Sequence, residues 1–139
     1  MTVDEIKTGV VIDHIEAGKA MEIYRFLGLD KLDCPIAIIK NALSKRMGRK
    51  DIIKIDHNEM INLSVLGYIA PNVTVNVIES SKIVKKFHPE LPEEIVDIVK
   101  CKNPRCITST EQELSHIFKL TDKENHIYRC IYCESKAKN

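Results

Sequence analysis

The sequence predicts an α+β protein in two parts: a domain of order β-α-β-β-α-β and, after it, a small all-β module. Three observations carry this. Short β-branched runs, separated by two stretches of helical periodicity, fill the chain as far as Phe87. Pro89 and Pro92 then bracket an acidic break at Glu90, Glu93 and Glu94. Beyond it, four of the five cysteines fall as Cys101-x4-Cys106 and Cys130-x2-Cys133. The division is placed after Glu94, giving domains 1–94 and 95–139.

Each element follows from local chemistry. Val10-Val11-Ile12 is short and β-branched, which suits a strand. Ala20, Ile23, Tyr24 and Leu27 recur at helical spacing, and Gly28 supplies a C-terminal stop. Asp33 to Leu43 is apolar and β-rich through Ile36, Ile38 and Ile39, and the polar stretch from Ser44 to Arg49 turns the chain into Ile52-Ile53-Lys54-Ile55. Asn58 or Asp56 is placed to cap a second helix carrying Met60, Ile61, Leu63, Leu66 and Tyr68, which ends before Pro71. Val73 to Ile78 alternates like a half-buried strand, and Lys82 to Phe87 extends the sheet. This order is the signature of a ferredoxin-like sandwich, two helices covering one face of an antiparallel sheet. The proline-flanked break reads as a linker with one helical turn.

The paired cysteines read as a structural zinc site. Zinc takes four soft ligands in a tetrahedron, and two short turns each offer two thiolates once the excursion from Ile107 to Arg129 brings them together. A closed four-thiolate shell leaves no position for water or substrate, so one ion per chain holds a fold and performs no chemistry. A segment of about forty residues is too short for a self-sufficient core, and metal binding is the usual remedy. Two disulfides are the alternative, and they require an oxidising compartment. The N-terminus lacks the basic stretch and apolar run of a secretory signal, and no apolar run reaches membrane-spanning length, so a cytoplasmic location is expected. Cys34, beside Pro35 at the head of an apolar run, reads as a buried small hydrophobe.

Formal net charge is +1, from 21 basic and 20 acidic side chains, which gives no overall field toward nucleic acid or anionic lipid. Locally, Lys45, Arg46, Arg49, Lys50 and Lys54 crowd together, opposed there only by Asp51. With no Trp and scattered Phe and Tyr there is no base-stacking platform. A zinc-ribbon nucleic-acid-binding protein with this basic patch stands as the alternative function. A zinc deaminase is a further rival, but Arg129 rather than proline precedes Cys130, and the extra cysteines close the metal shell. Phosphate-loop, Gly-x-Ser-x-Gly and His-Glu-x-x-His motifs are all missing, which favours a binding protein over an enzyme.

Lys50 and Lys54, four apart in an extended segment, project from one face and could receive phosphate or ribose. On pattern alone the plainer reading, an edge strand guarded by lysines, has the advantage. Asp13-His14 at the end of the first strand poses the same choice between ligand contacts and ordinary surface.

Several separated segments then converge. Gly9-Val10-Val11-Ile12-Asp13-His14-Ile15, Met47 to Ile55, Ala70-Pro71-Asn72-Val73-Thr74-Val75-Asn76 and the cysteine quartet closely resemble the regulatory chain of aspartate carbamoyltransferase, in order and nearly end to end. The resemblance implies a ferredoxin-like allosteric domain followed by a zinc-ribbon or rubredoxin-like zinc domain. It implies a non-catalytic subunit of pyrimidine biosynthesis that binds nucleoside triphosphates (CTP, ATP and, further, UTP), pairs as a homodimer through its allosteric domains and bridges catalytic trimers through its zinc domains. Neither nucleic acid nor membrane is an implied partner. Carried over by position, Asp13, His14, Lys50, Lys54, Asn76 and Lys86 surround the nucleotide, with Lys86 and His14 toward phosphates and Asp13, Lys50 and Lys54 toward ribose and base. Val3, Asp4 and Ile6 fall on an arm that closes over it, and Ile52, Ile78 and Ile83 on its apolar wall. Ser81 stands where the best-known members carry a tyrosine near the base.

Overall fold

In the computed structural model, residues 7–57, 63 and 65–137 are described. The chain divides into two compact units, Met1–Glu90 and Leu91–Asn139.

The first unit is built on a five-stranded antiparallel sheet of spatial order β2-β3-β1-β4-β5. Its strands are β1 (Gly9–Glu16), β2 (Ile36–Ser44), β3 (Gly48–Ile55), β4 (Thr74–Glu79) and β5 (Lys82–Phe87). Helix α1 (Ala20–Phe26) joins β1 to β2, and a shorter α2 (Leu66–Ile69) precedes β4. The order 2-3-1-4 of the first four strands is the ferredoxin-like arrangement, and β5 adds one strand beside β4. Val10, Ile12, Ile15, Ile53, Ile55 and Val75 fill the face under α1, together with Ala20, Ile23 and Leu29. Each fully buried aliphatic side chain of this kind contributes about 1.5–3 kcal/mol.

Helix α1 stops where the sequence indicates. Gly28 takes φ 65°, a left-handed backbone that a side chain resists, and a short 3₁₀ turn (Leu29–Lys31) then buries Leu29. The second helix differs from expectation. Among the described residues it spans only Leu66–Ile69, and Asn58, Met60 and Ile61 lie outside them. Asp56 does not begin a helix: its amide donates to the Pro35 carbonyl at 2.9 Å, continuing the β2–β3 ladder by one bond.

Asp51 is fully buried on the core face of β3, and its carboxylate accepts three backbone N–H groups. Gly18 and Ala20 donate to Oδ2 at 3.0 and 3.2 Å, and Asn41 to Oδ1 at 2.8 Å. One side chain thereby satisfies the start of α1, whose cap Lys19 offers no side-chain bond, and fixes the irregularity of β2 between Ile39 and Ala42. The cluster of basic residues around it in sequence drew attention away from this role.

The second unit carries a three-stranded antiparallel sheet of order β6-β7-β8, made of β6 (Glu94–Val96), β7 (Ile117–Asp122) and β8 (Ile127–Cys130), with a single turn α3 (Ile107–Thr110). Its core is small: Ile95, Phe118 and Tyr128. The Tyr128 hydroxyl donates to the Pro92 carbonyl, so a buried phenol is satisfied by the segment entering the sheet. The acidic break is not a helical turn. Glu94, Ile95 and Val96 pair with Lys119, Phe118 and Ile117, because alternation buries Ile95 and leaves its two neighbours exposed. Division of the chain accordingly falls after Glu90 and not after Glu94.

Candidate functional site

Two groups of side chains stand out, one on each unit. On the first sheet, β-strand alternation puts Lys50, Ile52 and Lys54 on the face opposite to the core residues Asp51, Ile53 and Ile55. Directly paired residues share a face, so the register extends this set across four strands. Lys54 pairs with Val11, Val11 with Asn76, and Asn76 with Lys86. Asp13 pairs with Thr74, while Ile78 pairs with Gly9 on one side and Ile83 on the other. Apart from His14, which the register leaves unpaired in a bulge, the residues singled out in sequence on β1, β3, β4 and β5 therefore lie on one face. Ile83, expected in an apolar wall, is 62% exposed on the edge strand. Val3, Asp4 and Ile6 fall outside the described residues.

A bulge aims the end of β1. Asp13 and His14 together oppose Ile52, between the pairs Ile12–Ile53 and Ile15–Asp51, and His14 has φ 58°. The His14 N–H donates to Asp13 Oδ1 at 2.6 Å, and its Nδ1 lies 3.1 Å from Thr74 Oγ1. Lys50 Nζ stands 2.9 Å from the same Asp13 oxygen. Burial raises the Asp13 carboxyl, but the Lys50 ammonium, the His14 N–H and the nearby charges outweigh it and hold the group below its ordinary range. Asn76 is 8% exposed, and its side-chain oxygen has no hydrogen-bond partner among the described residues. A buried amide oxygen needs a donor, and the described residues supply none to this one. Sequence reading missed Thr74, although its spacing of two from Asn76 put both on this face.

The second group is the cysteine quartet. Sγ atoms of Cys101, Cys106, Cys130 and Cys133 all lie within 4.8 Å of one another and are not joined as disulfides. Cys101 and Cys133 are 3.5 Å apart, and Cys106 and Cys130 are 3.7 Å apart. A tetrahedral ion with bonds of about 2.3 Å to sulfur separates its ligands by about 3.8 Å, so the donor set fits one soft ion. Cys101 and Cys106 flank a turn closed by Cys106 N–H to the Asn103 carbonyl, at 3.1 Å. The other turn is closed by Glu134 N–H to the Cys130 carbonyl, at 2.9 Å, and by Cys130 N–H to the Ser135 carbonyl, at 2.9 Å. Burial, reinforced by neighbouring thiols, pushes Cys101 up to about 12. At Cys133 burial acts the same way, but donors from Ser135 and Asn103 prevail and bring it down to about 6. The raised Cys101 and Cys130 thiols ionise readily only when an ion compensates their charge.

Separate family models match the two parts of the chain. A family model described as aspartate carbamoyltransferase regulatory chain, allosteric domain, matches residues 1–90, and one described as the metal binding domain of the same chain matches residues 93–139. The aspartate carbamoyltransferase regulatory chain of Clostridium acetobutylicum is 48% identical over 134 residues, covering 96% of this chain and 92% of the relative. That of Bifidobacterium longum is 44% identical over 138 residues, or 99% of each chain. Among the described residues no helix is long and apolar enough to cross a membrane.

Proposed function

The chain belongs to the family of aspartate carbamoyltransferase regulatory chains, non-catalytic subunits, and from that premise we propose that it binds nucleoside triphosphates on the exposed face of its first sheet and transmits their presence to a catalytic chain. Asn76 carries the reading. Its buried, unpartnered oxygen lies in register with Lys54 and Lys86, where a ligand bearing both donors and negative charge relieves two deficits at once. Lys86 and His14 neutralise phosphate, Asp13 accepts from ribose hydroxyls, and Lys50 and Lys54 address ribose and base. Ile52, Ile78 and Ile83 supply apolar contact, and Val3, Asp4 and Ile6 approach from the N-terminal segment. CTP, ATP and UTP are the candidate effectors, in cytoplasmic pyrimidine biosynthesis.

The cysteine quartet holds one zinc ion, whose closed thiolate shell supplies structure and no reaction. It fixes two turns on which Ile107, Ile131 and Tyr132 stand 48%, 45% and 44% exposed, large apolar side chains suited to docking on the catalytic chain and so to bridging catalytic trimers. Pairing of two copies occurs through the first unit. Nucleotides act by binding one quaternary state better than the other, and the effect is bounded by that difference, about 1–3 kcal/mol.

Calorimetric titration of the zinc-loaded chain with CTP and ATP tests this. Saturable binding, mutual competition and loss of affinity in Lys86→Ala and Lys54→Ala support it. No binding of either nucleotide by folded protein overturns it.

A further inference from the structure

The four sulfurs are not equivalent. Cys106 and Cys130 are 2% and 1% exposed, while Cys133 is only half-buried and Cys101 lies between. Thr108, in the single turn α3 that leaves Cys106, is 4% exposed, whereas Ile107, Ser109 and Thr110 of the same turn face solvent. The hydroxyls of Ser109 and Thr110 bond carbonyls of Asn103 and Ile107 at 2.7 and 3.1 Å. Thr108 alone turns its hydroxyl inward, and Oγ1 donates to Cys106 Sγ at 3.1 Å. A buried hydroxyl costs stability unless it is bonded, and here a ligand sulfur accepts from it.

We propose that Thr108 is a positioning residue of the metal centre: its hydroxyl anchors the Cys106 thiolate and makes it the last ligand to let the ion go, with loss beginning at Cys101 and Cys133. The inference rests on the four-cysteine zinc centre proposed above. A hydrogen bond onto thiolate draws charge from the sulfur and weakens it as a nucleophile toward electrophiles. It also fixes the side chain, because a Cys106 sulfur that swings away strands a hydroxyl in dry surroundings. Cys133 also receives donors, from Ser135 and Asn103, but it is only half-buried, so solvent and chelators reach it before they reach Cys106.

Metal content of the purified full chain is measured first; a chain that takes up no zinc or cadmium overturns the centre and the role of Thr108 with it. In cadmium-113-loaded native chain, the Thr108 hydroxyl proton is expected to exchange slowly and to couple to the metal through Cys106 Sγ. A rapidly exchanging hydroxyl without coupling overturns the proposal directly, with no variant required. Thr108→Val keeps the shape and removes the donor. It is expected to release the ion to a competing chelator about 3- to 10-fold faster, the scale of one lost hydrogen bond, and to advance Cys106 in the order of alkylation mapped by mass spectrometry. Thr108→Ser restores both. A Val variant matching native protein in rate and order, or a Ser variant matching Val, sinks it.

Discussion

Lys50 Nζ lies 2.9 Å from Asp13 Oδ1, so the cation of β3 is paired with the carboxylate at the bulge of β1. The pair is part-buried, with side chains 17% and 23% exposed, which places it between a solvated ion pair and a fully desolvated one. Any anion that arrives must share Lys50 with Asp13. Lys54 and Lys86 have no such partner among the described ion pairs, so phosphate affinity should fall further on losing Lys86 than on losing Lys50.

The titration of Asp13 follows from its surroundings. The folded carboxyl sits below its ordinary 3.8, so the folded state favours the ionised form. Its contribution to stability is complete above the ordinary carboxylate value and is lost as pH falls through the depressed one. The advantage of native protein over Asp13→Asn in urea unfolding should therefore hold down to about pH 5 and shrink as pH falls through the ordinary 3.8 and below. Carboxyl carbon shifts in the folded chain give the midpoint. A difference between the two proteins that does not change with pH contradicts the pairing.

Asp51 predicts a larger effect. Asp51→Ala removes, from a side chain that is itself fully buried, the acceptor of the Gly18, Ala20 and Asn41 amides. Hydrogen bonds to a charged group are worth about 1.5–3 kcal/mol each, and their losses overlap, so a destabilisation of about 3–5 kcal/mol is expected in the unfolding of the first unit. Asp51→Asn keeps one acceptor oxygen and should cost less. A cost under about 1 kcal/mol for Ala contradicts the carboxylate's role in holding α1 and β2.

How far these features were legible differs by kind of signal. The strands announced themselves through β-branched alternation, and Gly28 through its place after a helical stripe. The metal quartet was legible because spacing alone carries it. Asp51 was not, since a carboxylate among Lys50, Lys54 and Arg49 looks like a surface charge, and only the tertiary fold brings three amides to it. The bulge at Asp13 and His14 was equally hidden, because a bulge adds a residue without altering composition. Glu94–Val96 was misread because prolines and glutamates masked a three-residue alternation around Ile95, and β-structure that short depends on its partner strand.

Asn76 yields a prediction in which stability and binding move in opposite directions. Among the described residues its buried oxygen has no partner, which costs about 1–3 kcal/mol. Asn76→Val fits the β4 position, so the variant should be as stable as native protein or more so, by up to about 1 kcal/mol. Nucleotide affinity should drop by about tenfold, the equivalent of about 1.4 kcal/mol. Paired urea unfolding and calorimetry provide the check. A variant that loses stability and keeps affinity shows Asn76 to be structural.

Metal removal should separate the two units. Among the described residues, only Ile95, Phe118 and Tyr128, with Cys101, Cys106 and Cys130, form the buried apolar interior of the second unit, whereas the first has its own extended cluster. Four thiols held within 4.8 Å gain little from one another without an ion, and burial makes the ionised forms of Cys101 and Cys130 costly. The free energy of binding the ion is thus largely the folding free energy of residues 91–139. In amide spectra of the full chain, a strong chelator should collapse the resonances of Phe118, Tyr128 and their neighbours into the unfolded range. Those of Ile12, Ile53 and Val75 should stay dispersed, and added zinc should restore the rest. Retention of dispersed Phe118 and Tyr128 signals in verified metal-free protein would show that three apolar side chains suffice. Simultaneous loss of both sets would show instead that the first unit depends on the second.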